Sequence, residues 1–397
     1  MISKELLELL FRPANMQRWN DHIRPHVGFT ELDKQAHKFF FAYIIAKTEE
    51  TDRGASIYWQ RLIEGGIFEF LQRAVLTDLK PYVFNKLMDN KSKELNTWVI
   101  QQVGNCVAGI EGGFLPKLKN YLGNPQYAYA EKRILKAAHY LATRWEFEII
   151  KHLNQDIFDL GQTDQNITNE IEEFYDLAGV QKLNLARKTG KFMDKVGQLR
   201  FQQRWAQTPR VPQTSVLGHM LVVAIMSYLF SVEMGSGERR IYNNFMAGLW
   251  HDLPEILTRD IVSPVKRSVE GLEDIIKDIE RNLFMEEILP LLPRQWHQEI
   301  LYFIEDEFSS RIMVDGKSRI VTSEIISQKH DTDTDDPLDG ELVRAADQLA
   351  AYIEASISIA FGLQAPELVQ GKQTIYEKWS ATRICQMDFK TYYDYFA

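Results

Sequence analysis

The chain has 397 residues, of which 45% are hydrophobic and 25% are charged, so it can bury the core of one or two large globular domains. Its formal net charge is 46 − 55 = −9, which disfavours a surface for a nucleic-acid duplex but not a small anionic substrate. The two cysteines, Cys106 and Cys385, lack the CxxC spacing of a thiolate metal site. These features favour a cytoplasmic protein without structural disulfides.

Residues 1–12 are predicted to form a short amphipathic helix rather than a signal peptide, because Lys4, Glu5 and Glu8 interrupt the apolar residues. No stretch of the chain approaches the roughly 20 apolar residues that a membrane span requires. Along most of the chain, apolar residues recur at three- and four-residue spacings, which is typical of helices. The sequence therefore predicts an all-α fold and no membrane partner.

Three segments depart from the helical pattern. Residues 311–314 and 319–322 are predicted to be strands of a β-hairpin built on an Asp-Gly turn. Residues 331–340 form an acidic stretch without apolar periodicity, and we expect a mobile, solvated loop there. Residues 161–169 are polar and are predicted to link two halves of the chain.

Four short similarities occur in the same order in the two halves. They pair Gln17-Arg18-Trp19 with Gln203-Arg204-Trp205, Ala36-His37 with Gly218-His219, Ile57-Tyr58 with Ile241-Tyr242, and Lys136-Ala137-Ala138-His139 with Arg344-Ala345-Ala346-Asp347. Their common order predicts a duplicated helical unit, with domains at 1–185 and 186–397 and an insertion at 267–340 in the second.

The same alignment places the apolar residues Ile67 and Phe68 opposite His251 and Asp252. An apolar pair cannot coordinate a divalent ion, so the first unit is expected to be a degenerate copy that has lost its metal site. The alternative is that the first unit uses a different set of ligands.

Three apolar segments of the second half carry side chains suited to metal binding. They hold His219, the adjacent His251 and Asp252, and Asp347, and we expect these four groups to converge as ligands inside a helical bundle. His219 taken alone is more often an ordinary core histidine. Asp347 is flanked by alanine and leucine, where a buried carboxylate is costly without a partner such as a metal ion. The nitrogen and oxygen donors suit Mn, Co, Fe, Ni, Zn or Mg, and the sequence does not choose among these divalent ions.

Two acidic residues follow the His-Asp pair. Glu255 stands three residues after Asp252, on nearly the same helical face, and is predicted to orient the attacking water or to move a proton. Asp260 either braces the loop that leads to Pro264 or contacts the substrate, and we include it among the candidate catalytic residues.

Arg204, Trp205 and Arg210 precede the first predicted ligand and are candidate substrate-binding residues. An arginine can donate two parallel hydrogen bonds to a phosphate, and a tryptophan offers a flat face to a sugar or base. Taken singly, Arg204 could be a solvated charge and Trp205 an ordinary core aromatic residue.

The helical pattern His…His-Asp…Asp resembles the signature of the HD-domain superfamily of metal-dependent phosphohydrolases. The stretch from His251 to Lys266, the Arg204-Trp205 pair and the segment around Asp347 are similar to those of bacterial HD-domain 5′-deoxynucleotidases. That family removes the 5′-phosphate from deoxynucleoside monophosphates.

The resemblance implies an all-helical HD fold with metal ligation by His219, His251, Asp252 and Asp347. It also implies that Glu255 acts in proton transfer or water positioning, that Arg204 lies near the phosphate and that Trp205 lies beside the deoxyribose. Family members usually carry an acidic residue directly before the first histidine, where this chain has Gly218. The insertion and the N-terminal copy are further departures.

Two functions remain open from the sequence. The first is a metal-dependent phosphohydrolase that removes phosphate from nucleotides or deoxynucleotides by metal-activated water. The alternative is a non-catalytic regulatory protein that binds a nucleotide or a partner. A homo-oligomer is compatible with either function.

Overall fold

A computed structural model describes residues 1–19, 28–77, 81–154, 159–258 and 269–397. The described chain is mainly α-helical, which confirms the predicted fold class. The first half contains the helices Lys4–Phe11, Glu31–Arg53, Trp59–Leu76, Pro81–Val107, Phe114–Gly123, Tyr129–Leu153, Leu160–Glu172 and Ala178–Asn184. The second half contains the helices Lys188–Gln198, Val216–Glu233, Glu238–Trp250, Leu272–Leu283, His297–Ile304, Gly340–Ala360, Pro366–Trp379 and Lys390–Asp394, with shorter helical turns between several of them.

Two small antiparallel sheets accompany the helices. The predicted hairpin is confirmed, with strands Arg311–Val314 and Lys317–Ile320, so the second strand begins two residues earlier than expected. Its turn residues, Asp315 and Gly316, have φ values of 51° and 74°, in the left-handed region that an Asp-Gly hairpin turn requires. The other sheet pairs Arg383–Ile384 with Met387–Asp388.

The helix Val216–Glu233, hereafter the central helix, lies in the middle of the fold. Every residue from Val216 to Val232 is buried, and the helix packs against Glu31–Arg53, Glu238–Trp250 and Gly340–Ala360. Contrary to the expectation from the sequence, this helix is long and apolar enough to cross a membrane by length and composition, but 94% of it is buried inside the protein. An apolar surface on all sides is what a helix surrounded by other helices requires.

The two halves of the chain share one hydrophobic core. Trp250, at the end of a second-half helix, has its ring centroid 5.2 Å from that of Phe40 and 5.1 Å from that of Tyr43, both in the first half. Phe192 stacks against the same indole at 5.8 Å. The units predicted at 1–185 and 186–397 therefore pack directly on each other.

The predicted linker at 161–169 is wrong, because these residues lie inside the helix Leu160–Glu172. Ile167 and Ile171, four residues apart, are buried on one face of that helix, while most of its polar residues face the solvent. Two apolar anchors are thus enough to fix a segment whose composition is that of a loop.

The acidic stretch 331–340 is a loop, as the sequence predicts, and residues 332–334 are exposed to solvent, but ion pairs hold it on both sides of them. Asp331 and Asp339 both pair with Arg240, whose side chain is 1% exposed, and Asp336 pairs with Arg239. Asp339 is fully buried and its carboxylate also caps the helix Gly340–Ala360. Paired charges therefore fix the stretch at the start of that helix.

We predict that Arg240→Met lowers the free energy of unfolding by about 3–5 kcal/mol, because it leaves the buried carboxylate of Asp339 without its cation. The control is Arg281→Met, which removes an exposed partner of Glu305 and should change stability by less than about 1 kcal/mol. Urea unfolding followed by circular dichroism measures both variants. Equal stability of the two variants would contradict the assigned role of Arg240.

Candidate metal centre

The four predicted ligands are positioned by three helices. His219 lies one turn into the central helix, which begins where the Ser215 side chain accepts the N–H of Gly218. His251 directly follows the helix Glu238–Trp250, and Asp252 follows His251. Asp347 lies on the helix Gly340–Ala360.

The structure brings these side chains together. Nε2 of His219 lies 2.9 Å from Oδ1 of Asp347, and Nε2 of His251 lies 4.0 Å from the same oxygen. One donor atom from each of these three residues lies within 4.8 Å of the other two. Oδ2 of Asp252 lies 3.1 Å from Nε2 of His251, but Asp252 is not part of this group of three. The structure thus brings two imidazoles and one carboxylate together with Asp252 beside them, and the role of all four as ligands stays a prediction.

The orientation of His251 fits metal binding. Its Nδ1 lies 2.8 Å from the carbonyl oxygen of Gly248, which can only accept, so Nδ1 carries the proton. The lone pair of the neutral ring is then on Nε2, which is buried and makes no hydrogen bond of good geometry among the described residues. A backbone carbonyl on the far nitrogen is the usual way that proteins orient a metal-bound histidine.

The charges around the cluster favour a cation. Burial opposes the charged form of His251, but the carboxylates of Asp252 and Asp347 outweigh it and raise the pKa of this imidazole to about 9. Burial likewise opposes the charged form of Asp252, yet His251 and Arg204 hold the pKa of its carboxyl well below the usual range. The cluster is therefore a place where positive charge is stabilised.

Arg204 reaches the edge of the cluster from a short turn. Its backbone N–H donates to the carbonyl of Thr214 at 3.0 Å, and one Nη atom of its guanidinium lies 3.3 Å from Oδ2 of Asp252. The next residue, Trp205, has a φ of 56°, an uncommon conformation for a bulky side chain. This turn places the guanidinium of Arg204 beside Asp252 and the indole N–H of Trp205 against Glu354.

Glu354 is a residue of the site that the sequence reasoning missed. It stands seven residues after Asp347, two turns along the same face of the helix, and its side chain is fully buried. Its carboxylate accepts hydrogen bonds from the indole N–H of Trp205 at 3.2 Å and from the hydroxyl of Thr214 at 2.7 Å. Its Oε1 lies 3.7 Å from Nδ1 of His219. Glu354 therefore connects His219 to the turn that carries Arg204 and Trp205, hereafter the Arg-Trp turn.

The other predicted residues have different surroundings. Arg210 is buried, with its guanidinium 3.4 Å from Glu354 and hydrogen-bonded to Thr214, so it supports the turn. Glu255 is 7% exposed and lies in the 3₁₀ turn Leu253–Ile256, directly after the His-Asp pair. Asp260 lies outside the described residues.

Comparisons with known proteins agree with this arrangement. The family described as HD domain matches residues 196–376, which include all four predicted ligands. Residues 196–376 belong to the HD-domain family. The resemblance noted from the sequence and its all-helical fold are confirmed, whereas the duplication of the HD unit is not tested by this match.

Three relatives are enzymes that act on nucleotides. A dATP triphosphohydrolase of Acinetobacter phage SH-Ab 15497 is 35% identical over 71 residues, which are 17% of this chain and 35% of the relative. A 5′-deoxynucleotidase of Pasteurella multocida is 22% identical over 205 residues, 48% of this chain and 87% of the relative. One of Pectobacterium atrosepticum is 23% identical over 122 residues, 30% of this chain and 61% of the relative.

Gly218 departs from the acidic residue that HD-domain deoxynucleotidases usually carry before the first histidine, and the structure gives a reason. A Cβ atom at this position would lie 2.9 Å from the side chain of Leu32 and 3.0 Å from Oδ1 of Asp33. Contacts this short leave no room for a side chain without a shift of the neighbours. The first half of the chain therefore occupies the space that a side chain at 218 would need.

We predict that Glu354→Gln weakens divalent-metal affinity by about 10- to 100-fold, since removal of its charge frees both His219 and the Arg-Trp turn. The matched control is Glu367→Gln, an exposed glutamate on the next helix, which should leave affinity unchanged. Isothermal titration with Mn or Co measures both variants. Wild-type affinity in a folded Glu354→Gln protein would remove Glu354 from the site.

Proposed function

We propose that this protein is a metal-dependent phosphohydrolase that removes the 5′-phosphate from deoxynucleoside monophosphates. The observation that carries the proposal is the convergence of His219, His251 and Asp347 beside the guanidinium of Arg204. This arrangement combines donors for a divalent cation with a group that binds phosphate. The HD-domain match and the two deoxynucleotidase relatives support the reaction class and the substrate.

The donor set fits a divalent ion whose identity stays open among Mn, Co, Fe, Ni, Zn and Mg. Such an ion, when bound, lowers the pKa of a coordinated water and offsets negative charge on a phosphoryl group. His219, His251, Asp252 and Asp347 would hold it. The protein would keep His251 in one tautomer through the carbonyl of Gly248.

Arg204 is the side chain that we assign to the phosphate. The contact with Asp252 holds one edge of its guanidinium beside the metal cluster, and its side chain keeps 15% of its surface exposed. A planar guanidinium can bind a phosphate in a bidentate manner while it stays paired with a carboxylate. Trp205, fixed by Glu354 through its indole N–H, would then face the sugar.

Glu255 is the group that we assign to proton transfer. Its backbone N–H donates to the carbonyl of Asp252 at 3.1 Å, which places Glu255 one tight turn beyond the ligands. Glu255 is only 7% exposed, and a carboxylate held this close to the predicted ligands is a suitable group to accept a proton from the attacking water. Asp260 remains a second candidate for this step.

A second candidate reaction is release of triphosphate from a deoxynucleoside triphosphate. The phage dATP triphosphohydrolase has higher identity, 35%, than the deoxynucleotidases, although over only 71 residues. Both reactions need the same metal ligands, and in both water attacks the α-phosphorus, which is bonded to O5′. They differ in whether that phosphorus carries two further phosphate groups. Phosphorus NMR separates the two products, because one reaction yields inorganic phosphate and the other yields triphosphate.

We predict that protein loaded with Mn or Co releases phosphate from a panel of deoxynucleoside monophosphates, and that chelation by EDTA stops the release. His251→Ala and Asp252→Ala should each lower the rate of phosphate release by more than about 100-fold. This loss exceeds the one expected for a residue that only positions a metal ligand. His330→Ala is the control, because this histidine pairs with Asp335 away from the cluster.

Phosphate release that is unchanged in His251→Ala and Asp252→Ala would contradict the proposal. Metal-loaded protein that binds nucleotides in calorimetry without hydrolysing mono- or triphosphates would instead support the regulatory alternative.

A further inference from the structure

The two halves of the chain enter two neighbouring helices through the same backbone geometry. Gln17 and Thr30 form an isolated antiparallel bridge, and Gln203 and Ser215 form the corresponding bridge in the second half. Thr30 is the N-cap of the helix Glu31–Arg53, and Ser215 is the N-cap of the central helix. Each cap accepts the backbone N–H three residues further on, so the two helices begin alike.

A tryptophan in the same unusual conformation follows the first strand of each bridge. The φ values of Trp19 and Trp205 are 58° and 56°, and the indole N–H of each donates to a buried glutamate. The acceptor is Glu146 at 2.8 Å in the first half and Glu354 at 3.2 Å in the second. The arginine before each tryptophan also contacts that carboxylate, at 3.0 Å and 3.7 Å respectively. In each half, a tryptophan with positive φ and the arginine before it contact one buried glutamate. An uncommon conformation that recurs with the same contacts favours a common origin of the two halves.

The helix caps fix how the rest of the two halves correspond. Four residues after its cap, the first half has Lys34 and the second half has His219. Nζ of Lys34 lies 3.0 Å from both ring nitrogens of His139, just as His219 lies 2.9 Å from Asp347. Glu146 stands seven residues after His139, and Glu354 stands seven residues after Asp347. Lys34 and His139 therefore stand where the second half has its first and last predicted ligands.

A pair of glycines extends the correspondence to the next helix. A Cβ at Gly66 would collide with the ring of Phe39, and a Cβ at Gly248 would lie 2.8 Å from Cα of Ala224. Phe39 and Ala224 both stand nine residues after their caps. Each glycine thus faces the residue nine positions after the cap, through the ring of Phe39 in the first half and through the backbone of Ala224 in the second.

Glu69 and His251 each follow these glycines by three residues. The first half therefore has Lys34, Glu69 and His139 at positions that carry two imidazoles and a carboxylate in the second half. In this register Lys34 stands opposite His219, whereas the alignment by sequence similarity pairs His37 with His219. The ring of His37 instead contacts the carbonyl of Met193 at 3.0 Å and the guanidinium of Arg200 at 3.1 Å, away from His139.

The charges around Lys34 oppose a metal ion. Burial lowers the pKa of His139 well below its usual value, and the cations Lys34, Arg73 and Lys38 lower it further. Lys38 has its amino group paired with Glu69, so these two charges offset each other and Lys34 is the cation that lies directly against His139. In the part of the chain that the structure describes, the one group of three donors close enough to share an ion is the His219 cluster.

We propose that the first half is a second HD-type helical unit. In this unit Lys34 stands at the position of a metal ligand, and its amine occupies the space in which the ion would lie. The chain then holds one metal ion, in the second half, and the first unit serves as a metal-free support for it.

The support acts on the central helix. Asp33, next to Lys34, accepts a hydrogen bond from the Ser215 hydroxyl that caps this helix, and it also accepts one from Thr30. The buried carboxylate of Asp33 thus bridges the N-caps of both units, Thr30 and Ser215. Ser215 stands four residues before His219. The lack of space for a side chain at Gly218 comes from the same contact.

The decisive experiment restores the missing donor. Lys34→His recreates a set of two imidazoles and one carboxylate with His139 and Glu69, so this variant should bind two Mn or Co ions per chain where the wild type binds one. Lys34→Met is the matched control, because it removes the amine without adding a donor, and it should bind one ion. Inductively coupled plasma mass spectrometry after equilibrium dialysis counts the ions in each protein.

A Lys34→His protein that keeps the first ion, unfolds cooperatively and binds no second ion would overturn the proposal. If this variant does not fold, Lys34→His combined with His139→Asp rebuilds the His219–Asp347 pair and is judged by the same count. The wild type provides an independent check, because one ion retained by His251→Ala/Asp252→Ala would reveal a second site and refute a metal-free first unit. If the wild type binds no ion, the proposed function is contradicted. The inference about the first unit is tested separately, by whether Lys34→His binds one ion more than the wild type.

Discussion

The compensation of buried carboxylates is the constraint on which this structure depends. Asp347 and Glu354 lie on one face of a helix, and both are withdrawn from water among apolar neighbours. Glu354 is compensated by Arg204 and Arg210, which also hold the Arg-Trp turn in place. The carboxylate of Asp347 lies beside the imidazoles of His219 and His251, and a bound divalent ion would offset its remaining negative charge. Because a buried charge without a partner costs several kcal/mol, roughly the size of a whole protein's net stability, the site and the fold are coupled.

The same principle explains how the two halves act as one body. Asp33 of the first half reaches across to the cap of the central helix, while Phe40 and Tyr43 pack on Trp250 directly before the His-Asp pair. Two of the three elements that carry the predicted ligands are therefore fixed by residues of the first half. The first half of the chain thus contributes to the geometry of the helices that carry the predicted ligands.

Much of the metal cluster could be predicted from the sequence, because it rests on local rules. An aspartate among alanines and a His-Asp pair at the end of an apolar helix indicate buried donors before any fold is known. Glu354 satisfies the criterion that pointed to Asp347, and a search seven residues along the helix would have found it. The order within the acidic stretch could not be foreseen, because Arg240 lies 91 and 99 residues from the two aspartates that it binds. The register that we propose from the helix caps pairs Lys34, and not His37, with His219, and helix caps cannot be located from matching residue types alone.

The most direct test of the central claim is the position of the ion itself. Crystals grown with Mn or Co and measured at the absorption edge of that metal should give one anomalous peak per chain. The account predicts a peak bounded by Nε2 of His219, Nε2 of His251 and the carboxylates of Asp252 and Asp347. A peak elsewhere, or an empty cluster at saturating metal, would contradict it.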